Sequence, residues 1–210
     1  MNKSFIEALY SKYCDDNDDT VIDLPQLDGH RRHCQWVGIE KIKNELKNLN
    51  NLRCIDLSDQ RIDRPYDDDD LVEKQFHLPK VCSLYLAKNL LKNWSDIARI
   101  IELTPTVEEL VLSSNPLRPP NNDEEIIQIR KHFQRLKAII LGDLHYDWYS
   151  LLKCSKLWPS IQRISLFENQ IQTIRIDNGD EQFKDLKFLS LSKNPISDWN
   201  EICSLGKLPK

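Results

Sequence analysis

Six stretches of this chain repeat one spacing of apolar residues, clearest in residues 107–117. There Val107, Leu110, Leu112 and Leu117 occupy positions one, four, six and eleven of the motif, with Asn115 at position nine. Val81-Leu84-Leu86-Asn89-Leu91 repeats the spacing upstream, and Ile161-Ile164-Leu166-Asn169-Ile171 and Leu186-Leu189-Leu191-Asn194-Ile196 repeat it downstream. Two weaker copies, Leu52-Ile55-Leu57-Gln60-Ile62 and Leu136-Ile139-Leu141-Leu144-Tyr146, keep the apolar positions and lack the asparagine. First positions fall at residues 52, 81, 107, 136, 161 and 186, so successive copies lie 25 to 29 residues apart. Self-similarity at that period means stacked units, each unable to bury its apolar row alone.

The spacing is that of the leucine-rich repeat, and it has a physical cause. Side chains two apart on a strand point the same way, so Leu110 and Leu112 turn inward while Glu109, Val111 and Ser113 turn outward. Asparagine follows the strand, where the chain bends and leaves backbone groups unpaired; its amide carries both donors and an acceptor. Asn89, Asn115, Asn169 and Asn194 are therefore expected to form a buried ladder. Gln60 can partly replace them, whereas Leu144 cannot, so the fourth turn must find other partners or be irregular. The expected fold is an α/β solenoid with a parallel concave sheet and short helices and loops on the convex side.

A chain of 210 residues is long enough for a sizeable core, and the repeat assigns it to one elongated domain. A formal charge of −4 with both signs interspersed gives no nucleic-acid footprint. No apolar run is long enough to span a membrane as a helix, and no secretory leader is visible. Cysteines 14, 34, 54, 82, 154 and 203 are scattered without a C-x-x-C pair and read as free thiols of a reducing compartment.

Ahead of the repeats, Phe5, Ile6, Leu9 and Tyr13 share one helical face, with Ser4 as N-cap and Glu7 three residues later. Residues 15–19 read as a solvated acidic loop, 20–24 as a short strand and 36–49 as a helix, together a cap (residues 1–48) on the first repeat's open edge. His30, His33 and Cys34 are too close together for tetrahedral zinc, so a polar turn is the reading. Trp94, Trp148 and Trp199 each open a Trp-x-x-aliphatic segment after strands two, four and six. These are expected to be convex helices packing the tryptophan on the core, with Cys154 and Cys203 as small hydrophobes. Residues 124–136 form a further helical limb, and the aspartates 67–70 an exposed loop. The repeat domain, residues 49–210, stops where another repeat would begin, so the chain is expected to be part of something longer.

No nucleophile elbow, phosphate loop, zinc-protease motif or dinucleotide fingerprint occurs, and the five histidines sit at unrelated points of the repeat. A non-enzymatic binding module without cofactor or metal is the expectation. Its surface is the concave face, where Tyr85, Val111, Ile140, Phe167 and Phe188 make an apolar diagonal beside Arg163. Asp59, Lys88, Asp143, Glu168 and Lys193 border it with mixed charge.

Beyond the generic repeat, the opening S-F-x-x-x-L-x-x-K-Y of residues 4–13 and the N-x-x-x-x-W limbs at 89–94 and 194–199 resemble the tubulin-folding cofactor E and cofactor E-like family. Residues 86–94 and 112–117 add to the likeness. The resemblance implies a cytoplasmic, cytoskeleton-associated chaperone, monomeric and without ATP hydrolysis. It would bind α-tubulin or the αβ dimer, with other tubulin cofactors as further partners, and promote assembly or dissociation of the heterodimer. The alternative is a regulatory or scaffolding subunit of another enzyme, such as a protein phosphatase.

Overall fold

The computed structural model describes residues 1–14, 23–24, 32–33, 49–66, 76–176 and 183–208. The acidic runs at 15–19 and 67–70, and the expected helix over 36–49 except for its last residue, lie outside the described residues. In chain order the regular elements are β1 Lys3–Ser4, α1 Phe5–Tyr13, β2 Asp23–Leu24, β3 Arg32–His33, β4 Cys54–Asp56, β5 Ile62–Arg64, β6 Ser83–Tyr85 and α2 Trp94–Leu103. There follow β7 Glu109–Val111, α3 Asp123–Ile129, β8 Ala138–Ile140, α4 Trp148–Ser155, β9 Arg163–Ser165, β10 Phe188–Ser190 and α5 Trp199–Ser204.

The six motif copies supply the six strands of one parallel sheet, in the order β10-β9-β8-β7-β6-β4. Strict register places Ile55, Leu84, Leu110, Ile139, Ile164 and Leu189 in one row. The first five are at most 1% exposed, so the row is the spine of the core, and only Leu189 is partly covered. The fold is thus an α/β leucine-rich-repeat solenoid.

Each asparagine closes the turn of the repeat before its own. Asn89 Nδ2 donates to the carbonyls of Leu57 (2.8 Å) and Leu86 (3.0 Å), and its Oδ1 accepts from the N–H groups of Gln60 (3.1 Å) and Ile62 (2.9 Å). Asn115 bonds Leu86, Leu112 and the Leu91 N–H in the same way. Asn169 serves Leu141 and the N–H groups of Leu144 and Tyr146. Asn194 serves Leu166, Leu191 and the Ile171 N–H. The first three are buried and Asn194 is half-buried.

The two copies without asparagine solve their turns differently. In all six repeats the residue before position nine has positive φ: Asp59, Lys88, Ser114, Asp143, Glu168 and Lys193. Only the first and fourth repeats add a second such residue, Arg61 (φ 60°) and His145 (φ 61°). There the turn aims two N–H groups at one Oδ1 of the next repeat, Gln60 and Ile62 at Asn89, Leu144 and Tyr146 at Asn169. Gln60 also donates weakly within its own turn, to the Ser58 carbonyl at 3.3 Å. An extra left-handed residue, which costs conformational energy for a side chain with Cβ, substitutes for the missing amide.

At the N-terminal end, Ser4 and Glu7 form a reciprocal capping box on α1, worth about 0.5–2 kcal/mol. Phe5, Ala8 and Leu9 are fully buried, and β1 pairs in parallel with β5. The exposed edge of β4 is met by α1: Asp56 N–H donates to the Tyr13 hydroxyl (3.1 Å), and Lys12 Nζ donates to the Asp56 carbonyl. Side-chain groups thus occupy a sheet edge that would otherwise template another strand.

On the convex side, Trp94 is fully buried between Phe133 (5.8 Å between ring centroids) and Trp158 (5.5 Å), both supplied by later limbs. Trp148 is 4% exposed against Phe183. The same packing was expected of Trp199 and does not occur: Trp199 is 75% exposed, and Cys203 is exposed as well. Trp94 and Trp148 are each covered by an aromatic from a following limb, and no described aromatic stands in that place over Trp199. The limb at residues 124–136 is α3 followed by a 3-10 turn, Arg130–Phe133, with Phe133 buried and Ile127 exposed.

Candidate partner-binding face

Outward residues of the sheet form two rows, fixed by the register. One runs Cys54, Ser83, Glu109, Ala138, Arg163, Phe188; the other runs Asp56, Tyr85, Val111, Ile140, Ser165, Ser190. The expected diagonal is present but unequally exposed. Phe188 is 51% exposed, Tyr85, Ile140 and Phe167 are half-buried, and Val111 is buried. Val111 therefore departs from the expectation of an exposed contact: it lies in register between Tyr85 and Ile140, the two large side chains of its row.

Phe167 leans over the neighbouring turn at Gly142, where a Cβ would fall 2.2 Å from the ring. Glycine here is required by the close approach of that ring. The Gly142 N–H donates to Ser113 Oγ at 3.0 Å, so the centre of the face is a small, ordered apolar shelf.

The two ends of the face differ in charge. Towards the N-terminal end, the Glu109 carboxylate accepts from Ser83 Oγ (3.1 Å) and, at the limit of bonding distance, from the Tyr85 hydroxyl (3.5 Å). Desolvation and then the Asp56 and Glu109 carboxylates hold the Cys54 thiol above its usual range, so it stays protonated and is a poor nucleophile. The Ser58 N–H and hydroxyl hold the Asp56 carboxyl below its usual range. Towards the C-terminal end, the Arg163 guanidinium lies 5.7 Å from the centre of the Phe188 ring, a cation–π pair. Lys193 is paired with Glu168.

Sequence reasoning overlooked the left-handed column and the fit of Phe167 to Gly142. The column had a signal: residue eight of the motif is Asp, Lys, Ser, Asp, Glu and Lys, and never β-branched. On the convex side, a cleft of about 730 Å³ is lined by Asp147, Trp148, Tyr149, Gln170 and Arg175 among others. The Asp147 carboxylate is committed there to capping α4 through the Ser150 N–H (2.8 Å). Among the described residues no cluster of His, Cys, Asp or Glu could hold a metal ion. No described helix is long and apolar enough to cross a membrane.

No protein-family model matches the chain. Over 209 residues, 98% of its length, it is 25% identical to the tubulin-specific chaperone E of Xenopus laevis, of which it spans 37%. Over 184 residues, 86% of its length, it is 29% identical to the tubulin-folding cofactor E of Arabidopsis thaliana, of which it spans 33%. The chain is therefore similar, along most of its length, to about a third of the length of these curated relatives. Among solved structures it is similar to the leucine-rich-repeat domain of APL1B (TM-score 0.46, 13% identity, 78% of this chain and 44% of that one).

Proposed function

We propose that this chain is the repeat segment of a tubulin cofactor, and that its concave face binds α-tubulin, alone or in the αβ dimer. The observation that carries the reading is the likeness to chaperones named for tubulin, which runs through the N-terminal helix as well as the repeats. A sheet face with half-exposed Tyr85, Ile140 and Phe167 and exposed Phe188 suits a protein partner, because aromatics concentrate binding energy at interfaces.

In this proposal the mechanism is differential binding rather than turnover. A surface that holds α-tubulin more tightly when it is apart from β-tubulin shifts the dimer towards dissociation; the reverse preference favours assembly. No covalent step is needed, so the chain acts as a non-enzymatic, cytoplasmic chaperone.

The test is size-exclusion chromatography of the chain with purified αβ-tubulin, beside Phe188→Glu. Co-elution that the substitution abolishes supports the reading. A folded wild-type chain that elutes apart from tubulin overturns it and brings forward the enzyme-subunit alternative.

A further inference from the structure

We propose that the entry edge of the C-terminal half of the concave face, where Arg163 and Phe188 face outward and Lys137 and Lys187 immediately precede their strands, docks a carboxylate-bearing stretch of the protein partner. This rests on the reading of the concave face as the partner surface. In the sheet, Ala138, Arg163 and Phe188 are in register, so Lys137 and Lys187 precede the residues on either side of Arg163. Strands lie about 4.8 Å apart, which brings the three backbone positions within about 10 Å.

Elsewhere Lys193 pairs with Glu168, Arg135 with Glu108 and Lys156 with Asp123. Among the described residues, Lys137, Arg163 and Lys187 form no ion pair. Lys137 Nζ reaches only the Ser160 carbonyl, at 3.5 Å, and Arg163 has the Phe188 ring. In a chain of net charge −4, three cations grouped on adjacent strands make a local basic patch. Like charges so close repel, and an incoming carboxylate relieves that repulsion while fixing the partner's register.

A phosphate backbone is the poorer occupant. It would run on towards Asp56, Asp59 and Glu109 on the same sheet and cross the apolar shelf of Ile140 and Phe167. A protein segment with acidic residues at one end and apolar residues beside them matches both halves.

The test measures binding of the whole chain to purified αβ-tubulin at low and high salt. It compares wild type with Arg163→Glu/Lys187→Glu, with the milder Arg163→Gln/Lys187→Gln, and with the convex control Lys153→Glu. A labelled poly-glutamate peptide is titrated in parallel. The expected result is at least about tenfold weaker tubulin binding in the charge-reversed variant, loss of the salt dependence, and no change for the control. Folded double variants that bind tubulin as the wild type does overturn the docking site and leave the tubulin reading standing. If the wild type ignores tubulin, the peptide decides: capture that needs Arg163 and Lys187 supports the site with a different acidic partner, and no capture overturns it.

Discussion

Trp94 and Trp199 open the same convex helix in the second and sixth repeats, yet one is fully buried and the other 75% exposed. Their local sequences are alike; their neighbours are not. Trp94 has Phe133 and Trp158 against it, whereas no described aromatic meets Trp199. The same gradient runs through Asn169 and Asn194, which each close four backbone groups, the first buried and the second half-buried. A repeat of this kind is stable because of what the next one places on it.

That comparison can be broken by mutation. Trp94→Ala should cost about 3–5 kcal/mol in urea unfolding, as for other buried aromatics. A loss as small as that expected for Trp199→Ala would contradict the packing account. Next in size, Asn169→Ala leaves buried backbone groups unpaired and should cost about 1–3 kcal/mol. Asn194→Ala should cost clearly less, and equal losses would show that burial does not set the difference. Gly142→Ala should cost about 1–3 kcal/mol by forcing the Phe167 ring off the turn. An unchanged melting curve would mean that the ring yields freely.

A smaller effect concerns α4, capped by Asp147. Hydrogen bonds from the Ser150 hydroxyl and N–H hold this carboxyl below its usual range. Because the folded value is depressed, the cap's contribution is complete above the ordinary carboxylate range, about pH 3.9, and is lost as pH falls through the lower folded value. Asp147→Asn should flatten that acid limb in a pH series of unfolding free energies. Smallest of all, Trp199→Ala should stay within about 0.5 kcal/mol of wild type.

Much of this was legible in the chain. The apolar columns fixed the six strands and their inward row, and the asparagines pointed to the turn ladder. The Ser4 and Glu7 pair announced the capped helix. What escaped depends on contacts between repeats. Exposure of Trp199 and Cys203 depends on whether a neighbouring limb packs over them, which their own segment does not encode. Burial of Val111 depends on Tyr85 and Ile140 one strand away on each side. The second left-handed residue at Arg61 was hidden because arginine carries no signal for that conformation, whereas His145 is of a type enriched there and was overlooked.

The contrast between the concave sheet and the convex helices also sets the decisive measurement. Side-chain footprinting of the chain, with and without purified αβ-tubulin, reads both faces at once. Protection of Tyr85, Ile140 and Phe188, with Ile127, Tyr149 and Trp199 unchanged, is the result this account predicts. Protection confined to Ile127, Tyr149 and Trp199 would contradict it and move the partner surface to the convex side.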